Sequence, residues 1–150
     1  MSNVGKGSCF TVSIPAIVGD DQEFSRKRAV NLDIQLGDKW PYKILVAEDN
    51  LMNQKLATFV FEKMGYQIDL ANNGQEAIEM AEKKNYDLIF MDLQMPLVDG
   101  IAATKKILSR NPHPVVIALT ANVMEETKNA CFEAGMTHFL HKPFKLEAIQ

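Results

Sequence analysis

Lys43-Ile44-Leu45-Val46-Ala47-Glu48-Asp49 and Leu88-Ile89-Phe90-Met91-Asp92 decide how this chain folds. Each is a short apolar run that ends in carboxylates. Val115-Val116-Ile117-Ala118-Leu119 ends in the hydroxyl of Thr120, and His138-Phe139-Leu140-His141 runs, more weakly, into the ammonium of Lys142. Runs apolar at every position are strands buried on both faces, as in parallel sheets covered by helices. If the strands are parallel, their terminal polar residues meet at one edge. Open α/β sheets place their sites there, outside the carboxyl ends of the strands. Three carboxylates, a hydroxyl and an ammonium at that edge point to a divalent cation and a phosphoryl group.

The segments between the runs supply the helices. Met52, Leu56, Phe59, Val60 and Met64 fall at helical spacing, with Asn50 suited to the N-cap and Gly65 to the position after the helix. Tyr66, Ile68 and Leu70 then alternate with polar residues, predicting a strand. Ala77, Ile78 and Ala81 set a second helix. Ile101, Ile107 and Leu108 set a third, after the Asp99-Gly100 turn. A fourth is expected between Val123 and Ala134, stopped by Gly135. Its inner face is small, so it should be loosely held. A fifth begins near Lys145, and barely more than a turn of it precedes Gln150. This alternation predicts βαβ units with right-handed crossovers. The mixed strands Tyr66–Ala71 and Thr137–His141 read as edges. The expected fold is therefore a doubly wound, five-stranded parallel sheet of order 2-1-3-4-5.

The first forty residues follow another pattern. Phe10, Val12 and Ile14 alternate with Thr11 and Ser13, a strand ended by Pro15. The stretch to Lys39 is polar and mixed, and Trp40-Pro41 marks a boundary. The expected division is a strand within 1–15, a linker over 16–41 and the main domain over 42–150. A lone strand is not stable by itself, so it docks or stays disordered.

Composition narrows the function. The 150 residues are 47% hydrophobic, enough for a real core, and the formal charge is −3 with no basic stripe, which disfavours nucleic acid as a partner. No apolar stretch is long enough to span a bilayer and no signal-peptide pattern is present, so the expectation is a cytoplasmic segment without membrane contact. Cys9 and Cys131 lack metal-ligand spacing and read as reduced thiols. His138 and His141 point to opposite faces of one strand, and His113 sits between prolines, so all three read as surface or edge residues. The methionines at helical positions read as core fillers.

Glu48, Asp49 and Asp92 carry the chemistry. At ~4 Å and an effective dielectric near 20, each like-charge pair costs about 4 kcal/mol. Such a cluster calls for a cation or a raised pKa, and its oxygen donors favour Mg²⁺, Ca²⁺ or Mn²⁺. Asp92, after the central strand, is the candidate nucleophile. Lys142 would offset charge on phosphoryl oxygens and Thr120 would donate to them, although a threonine there also suits a helix N-cap.

These residues resemble a known family. Ile44-Leu45-Val46-Ala47-Glu48-Asp49-Asn50 with Asn53-Gln54, Met91-Asp92-Leu93-Gln94-Met95-Pro96 with Asp99-Gly100, Ala118-Leu119-Thr120-Ala121-Asn122, and Phe139-Leu140-His141-Lys142-Pro143-Phe144 are together similar to the signature segments of response-regulator receiver domains, most closely those of hybrid sensor histidine kinases. The resemblance covers about Lys43 to Gln150 and implies the flavodoxin-like receiver fold. It implies that Asp92 accepts a phosphoryl group from a phosphohistidine. It implies Mg²⁺, or Mn²⁺, on Asp49, Asp92 and the backbone carbonyl of Gln94, with Glu48 acting through metal-bound water. Lys142 would pair with Asp92 and then with the phosphoryl group, while Thr120 and Phe139 would form the conformational switch. The implied partners are a histidine kinase phosphodonor and a histidine phosphotransfer protein or domain.

Three departures from the family pattern stand out. Glu48 replaces the more usual Asp, Phe139 lacks the hydroxyl of the common Tyr, and helix five is cut short. Gly5-Lys6-Gly7-Ser8-Cys9-Phe10-Thr11-Val12-Ser13-Ile14-Pro15 resembles the last strand of a histidine-kinase ATP-binding domain, without the rest of that site. Displaced from its sheet, this arm would favour self-association. Two rival functions remain. One is an aspartyl-nucleophile phosphatase of the haloacid-dehalogenase type, which usually has a second Asp where this chain has Gln94. The other is a degenerate receiver that only binds partners. In the main reading the segment is not a turnover enzyme on an external substrate, and its parent is a hybrid histidine kinase.

Overall fold

The computed structural model describes Ser2–Asn3, Gly7–Ser8, 36–121 and 125–142. The proposed strand around Phe10, Val12 and Ile14, Cys9, Asn122 and the start of helix five lie outside these residues. The chain divides into two compact units, Met1–Val30 and Asn31–Gln150. In the first, β1 (Ser2–Asn3) pairs antiparallel with β2 (Gly7–Ser8).

The second unit opens with a single helical turn, α1 (Leu36–Lys39). The alternation read from the sequence follows: β3 (Ile44–Ala47), α2 (Leu51–Lys63), β4 (Ile68–Ala71), α3 (Gly74–Lys83), β5 (Leu88–Asp92), α4 (Gly100–Arg110), β6 (Val115–Thr120), α5 (Glu125–Glu133) and β7 (His138–His141). The five strands β3 to β7 are parallel in the order β4-β3-β5-β6-β7, the expected 2-1-3-4-5. The central strands are buried throughout β3 and nearly so in β5, whereas the edge strand β7 is exposed at both ends. Strand β4 begins two residues later than its alternation suggested, because Tyr66 belongs to the turn after α2. Helix α5 buries only Cys131, in keeping with its small inner face.

The caps follow the sequence. The Asn50 side chain accepts from the amides of Met52 and Asn53 at 2.9 and 3.3 Å, opening α2, and Gly65 closes it at φ +82°. Asn73 and Asp99 cap α3 and α4 in the same way, accepting from Glu76 and Ala102 at 2.8 Å. At Gly100 a Cβ would overlap the carbonyl of Asp92. Glycine thus lets the start of α4 lie directly on the end of β5, where the site is.

The buried face of α2 differs from the one its hydrophobic spacing predicted. Val60 and Met64 are buried as expected, but Met52 is 71% and Phe59 58% exposed. The inner row is Gln54, Ala57, Val60 and Phe61. Gln54 belongs there because its amide donates to the Glu48 carbonyl at 2.6 Å and to Asn72 Oδ1 at 3.0 Å, so a polar side chain is satisfied at a core position. Met52 also departs from the core-filler reading of helical methionines, whereas Met64 keeps it. His113 is exposed as expected, yet Nε2 lies 3.5 Å from Asp87, a partner its sequence neighbours do not reveal.

Phe61 packs on Phe90 of the central strand with ring centroids 5.0 Å apart. Phe61→Ala is expected to cost about 3–5 kcal/mol of unfolding free energy, while Phe59→Ala should stay within about 0.5 kcal/mol. Urea unfolding of the two variants checks this, and equal losses would contradict the orientation of α2.

Candidate functional site

Parallel register brings the site together. Ala47 pairs with Met91, so β3 and β5 end level, and Glu48 and Asp92 emerge side by side at the carboxyl edge. β6 delivers Thr120 beside them and β7 delivers Lys142. With Asp49, Gln94 and Thr127 these residues line a cleft of 580 Å³. Every residue singled out from the sequence at the strand ends is therefore in one place. Phe139 stands apart, on the strand interior beside Ala118, with its ring set edge-on to Phe132 at 5.2 Å.

Glu48, Asp92 and Thr120 are buried, whereas Asp49 is open to solvent. One oxygen from each of the three carboxylates lies within 4.8 Å of the others. Lys142 bridges the two buried acids, with Nζ 2.6 Å from Glu48 Oε2 and 2.5 Å from Asp92 Oδ2. The sequence suggested a pair with Asp92 alone. Glu48 is a second partner of the same ammonium. The other oxygen of Glu48 accepts from the Asn53 amide at 3.0 Å and the Asn50 backbone N–H at 3.2 Å. Asp92 Oδ1 accepts from the Gln94 N–H at 3.1 Å.

The electrostatics follow from burial and these partners. Burial is the largest influence on Asp92 and raises its carboxyl above the ordinary value. The Lys142 hydrogen bond, the Gln94 amide and the Lys142 charge pull it down without offsetting burial, and Glu48 adds to the rise. Burial alone would depress Lys142, but the hydrogen bonds and charges of Asp92 and Glu48 outweigh it and hold the ammonium above its ordinary value.

Asn53 and Gln54, quoted from the sequence as part of the receiver signature but given no role there, support the site. Both sit on the first turns of α2 and hold Glu48, one by its carboxylate and one by its carbonyl. Strand-end reasoning alone does not reach them, because they lie on the helix after the acidic pair.

Chemically, the cleft offers a hard-oxygen donor set for a small divalent cation, a carboxylate held between an amide and an ammonium, and a hydroxyl beside it. Gln94 occupies the place where an aspartyl phosphatase would need an acid–base carboxylate, and its side chain is exposed. Among the described residues no helix is long and apolar enough to cross a membrane.

Residues 44–150 match the family described as response regulator receiver domain. Hybrid signal transduction histidine kinase K of Dictyostelium discoideum is 38% identical over 96% of this chain, which spans 12% of that relative's length. Among solved structures, the receiver domain of sensor histidine kinase PA1611 from Pseudomonas aeruginosa PAO1, crystallised with a magnesium ion in its active site cleft, superposes with TM-score 0.68. It is 37% identical, over 73% of this chain and 91% of that one. The receiver domain of the Saccharomyces cerevisiae response regulator Ssk1, in complex with the histidine phosphotransfer protein Ypd1, gives TM-score 0.67 and 32% identity over 72% and 83% of the two chains. A match to one family over most of the chain, on the predicted fold and with the acidic cluster at the predicted edge, makes this chain a member of the response regulator receiver domain family.

Proposed function

We propose that Asp92 accepts a phosphoryl group from a phosphohistidine, with Mg²⁺ in the acidic cleft, and that the domain passes the signal or the phosphate onward. The observation that carries this reading is the Asp92 carboxylate at the end of the central strand, fixed by Gln94 N–H and Lys142 beside two further acids. The three carboxylates fit a small hard cation. Asp49, Asp92 and the backbone carbonyl of Gln94 would hold it directly, and Glu48 through water. Bound there, Mg²⁺, or Mn²⁺, draws charge from the phosphoryl oxygens.

The protein's own groups do the rest. A carboxylate oxygen of Asp92 attacks phosphorus as the bond to the histidine nitrogen breaks, giving an aspartyl phosphate and free imidazole. Lys142 moves from its two carboxylates to the phosphoryl group, and Thr120 donates to that group from the end of β6. The displacement of Thr120 opens space toward Phe139, which gives up its contact with Phe132 and carries the change to the α5 face.

The phosphodonor is a histidine kinase, and the onward partner a histidine phosphotransfer protein or domain. Leu51, Met52 and Phe59 form an exposed apolar strip on α2 that begins beside the cleft, 67%, 71% and 58% exposed. Such a strip suits a helical partner that presents its histidine to Asp92. The relation to hybrid kinase K extends over 96% of the chain, well ahead of residue 44. This supports a parent hybrid histidine kinase, with 1–15 as the last strand of its ATP-binding domain, 16–41 as linker and 42–150 as receiver. The same reading sets the domain in the cytoplasm, with self-association through the arm.

Incubation with Mg²⁺ and acetyl phosphate is expected to add one phosphoryl group by intact mass. Asp92→Asn or excess chelator should abolish the adduct. A labelled Asp92→Asn protein would remove Asp92 from its role, and continuous phosphate release would favour a phosphatase.

Because folding raises the Asp92 value, the folded state holds that proton more tightly. The stability this confers exists at low pH and is lost as pH rises through the raised value. Asp92→Asn should therefore raise the metal-free melting temperature at pH 7, and a fall would contradict the burial account.

Lys142 is also raised, so its contribution is lost in the same direction of pH, but in a far higher window, and the charged form is the favoured one at neutral pH. Its contribution is full below its unfolded value, about 10.4, and is lost only as pH climbs through the raised one. Lys142→Met should cost up to about 3 kcal/mol in chelator at neutral pH. Mg²⁺ should recover part of that loss, since it supplies the missing positive charge. An equal loss with and without Mg²⁺, read by thermal melts, would contradict a shared site.

A further inference from the structure

We propose that the Met64–Gly65–Tyr66 corner is a docking site for the chain's own upstream segment. On this reading Leu36–Trp40 is a fixed joint and not a slack tether. The corner lies at the far end of α2 from the acidic cleft, and none of the phosphate chemistry depends on it.

Three observations support the joint. The carbonyls of a helix's last turn have no partner within the helix. Here the Met64 carbonyl accepts from Gly37 N–H at 3.0 Å, so the upstream segment completes the end of α2. In return the Tyr66 hydroxyl donates to the Leu36 carbonyl at 3.3 Å. Burial, with Tyr42 adding to it, holds that phenol above its ordinary value, so it remains a donor at neutral pH.

The second observation is steric. A Cβ on residue 37 would overlap the carbonyl of Gly65. Only glycine lets the two backbones approach this closely. A segment that merely trailed past the domain would place no such demand on its sequence.

The third is packing and continuity. Leu36 packs against the cluster containing Phe61, Met64 and Tyr66. Trp40 N–H then bonds back to Leu36 at 2.8 Å and Tyr42 N–H to Trp40 at 2.8 Å. Lys43 N–H is held by Asp87 Oδ2 at 2.8 Å. Leu36, Gly37, Trp40, Tyr42 and Lys43 are thus each held by a hydrogen bond ahead of β3. Leu36 itself is held on the α2 corner before the chain reaches β3. Helix α2 then serves both ends: Asn53 and Gln54 hold Glu48, while Met64 holds the joint.

Amide hydrogen exchange and fluorescence of Trp40, the single tryptophan, test this on the full chain. In the wild type the amides of Gly37, Trp40 and Tyr42 should exchange at least about tenfold more slowly than in an unstructured chain. Gly37→Val should remove that protection and make Trp40 more accessible to acrylamide. Protection in β3 and β5, and acetyl-phosphate labelling of Asp92, should be retained. Tyr66→Phe should weaken protection at Gly37 without removing it. Exchange at the unstructured rate in the wild type would overturn the joint. So would a Gly37→Val protein with wild-type protection and quenching. If Gly37→Val lowers the stability of the whole domain, the wild-type exchange rates decide alone. Loss of Asp92 labelling in the wild type would overturn the proposed function and leave the joint standing.

Discussion

One ammonium placed between two buried carboxylates is the constraint on which the site depends. Parallel pairing of β3 with β5 forces Glu48 and Asp92 to leave the sheet together, and both are removed from solvent. Two such charges repel strongly in a medium of low polarity. Lys142 resolves this by reaching both, at 2.6 and 2.5 Å. Because Lys142 follows the last strand, the pair of contacts also ties the edge of the sheet to its centre. The positive charge is fully engaged before any phosphoryl group arrives. On the proposed function Lys142 would leave these carboxylates for the phosphoryl group, and a cation held by Asp49 and Asp92 would offset the charge it leaves.

Helix α2 shows how function reshapes an ordinary packing element. A helix over a sheet normally buries an apolar row and exposes a polar one. Here the buried row begins with Gln54, whose amide holds the Glu48 carbonyl and Asn72. Leu51, Met52 and Phe59 face outward instead. Each inversion has a reason in the proposed function: the inner polar group orients an acid of the site, and the outer apolar strip awaits a partner. Local rules of sequence patterning fail where a site imposes its own requirements.

The loop after β5 carries a related cost. Leu97 adopts φ +68° while Val98 N–H bonds to Pro96 at 2.9 Å. That is a γ-turn of the rarer hand, a strained conformation for a residue with a side chain. Gly100, pressed on the Asp92 carbonyl, follows closely. The tight return from the strand to α4 keeps the loop short beside the Asp92 carboxylate. The turn aims Leu97 outward, 84% exposed, on a loop that begins at the cleft.

The alternation of apolar runs and helical spacing from Lys43 onward determined the strand order, because buried parallel strands must be apolar throughout and edge strands need not be. It also determined that Glu48, Asp49, Asp92, Thr120 and Lys142 would meet, since residues at the carboxyl ends of parallel strands share one edge whatever their separation in the chain. What the linear pattern did not hold was any choice that depends on a contact between distant backbones. Which face of α2 is inside was decided by Gln54 meeting Glu48 and Asn72. That Lys142 bridges Glu48 as well as Asp92 was decided by where β7 delivers it relative to the ends of β3 and β5. That Gly37 seats on Gly65 was decided by the approach of two segments with no periodic relation to each other. These are distances in three dimensions, and periodicity carries direction along an element but not the gap between elements.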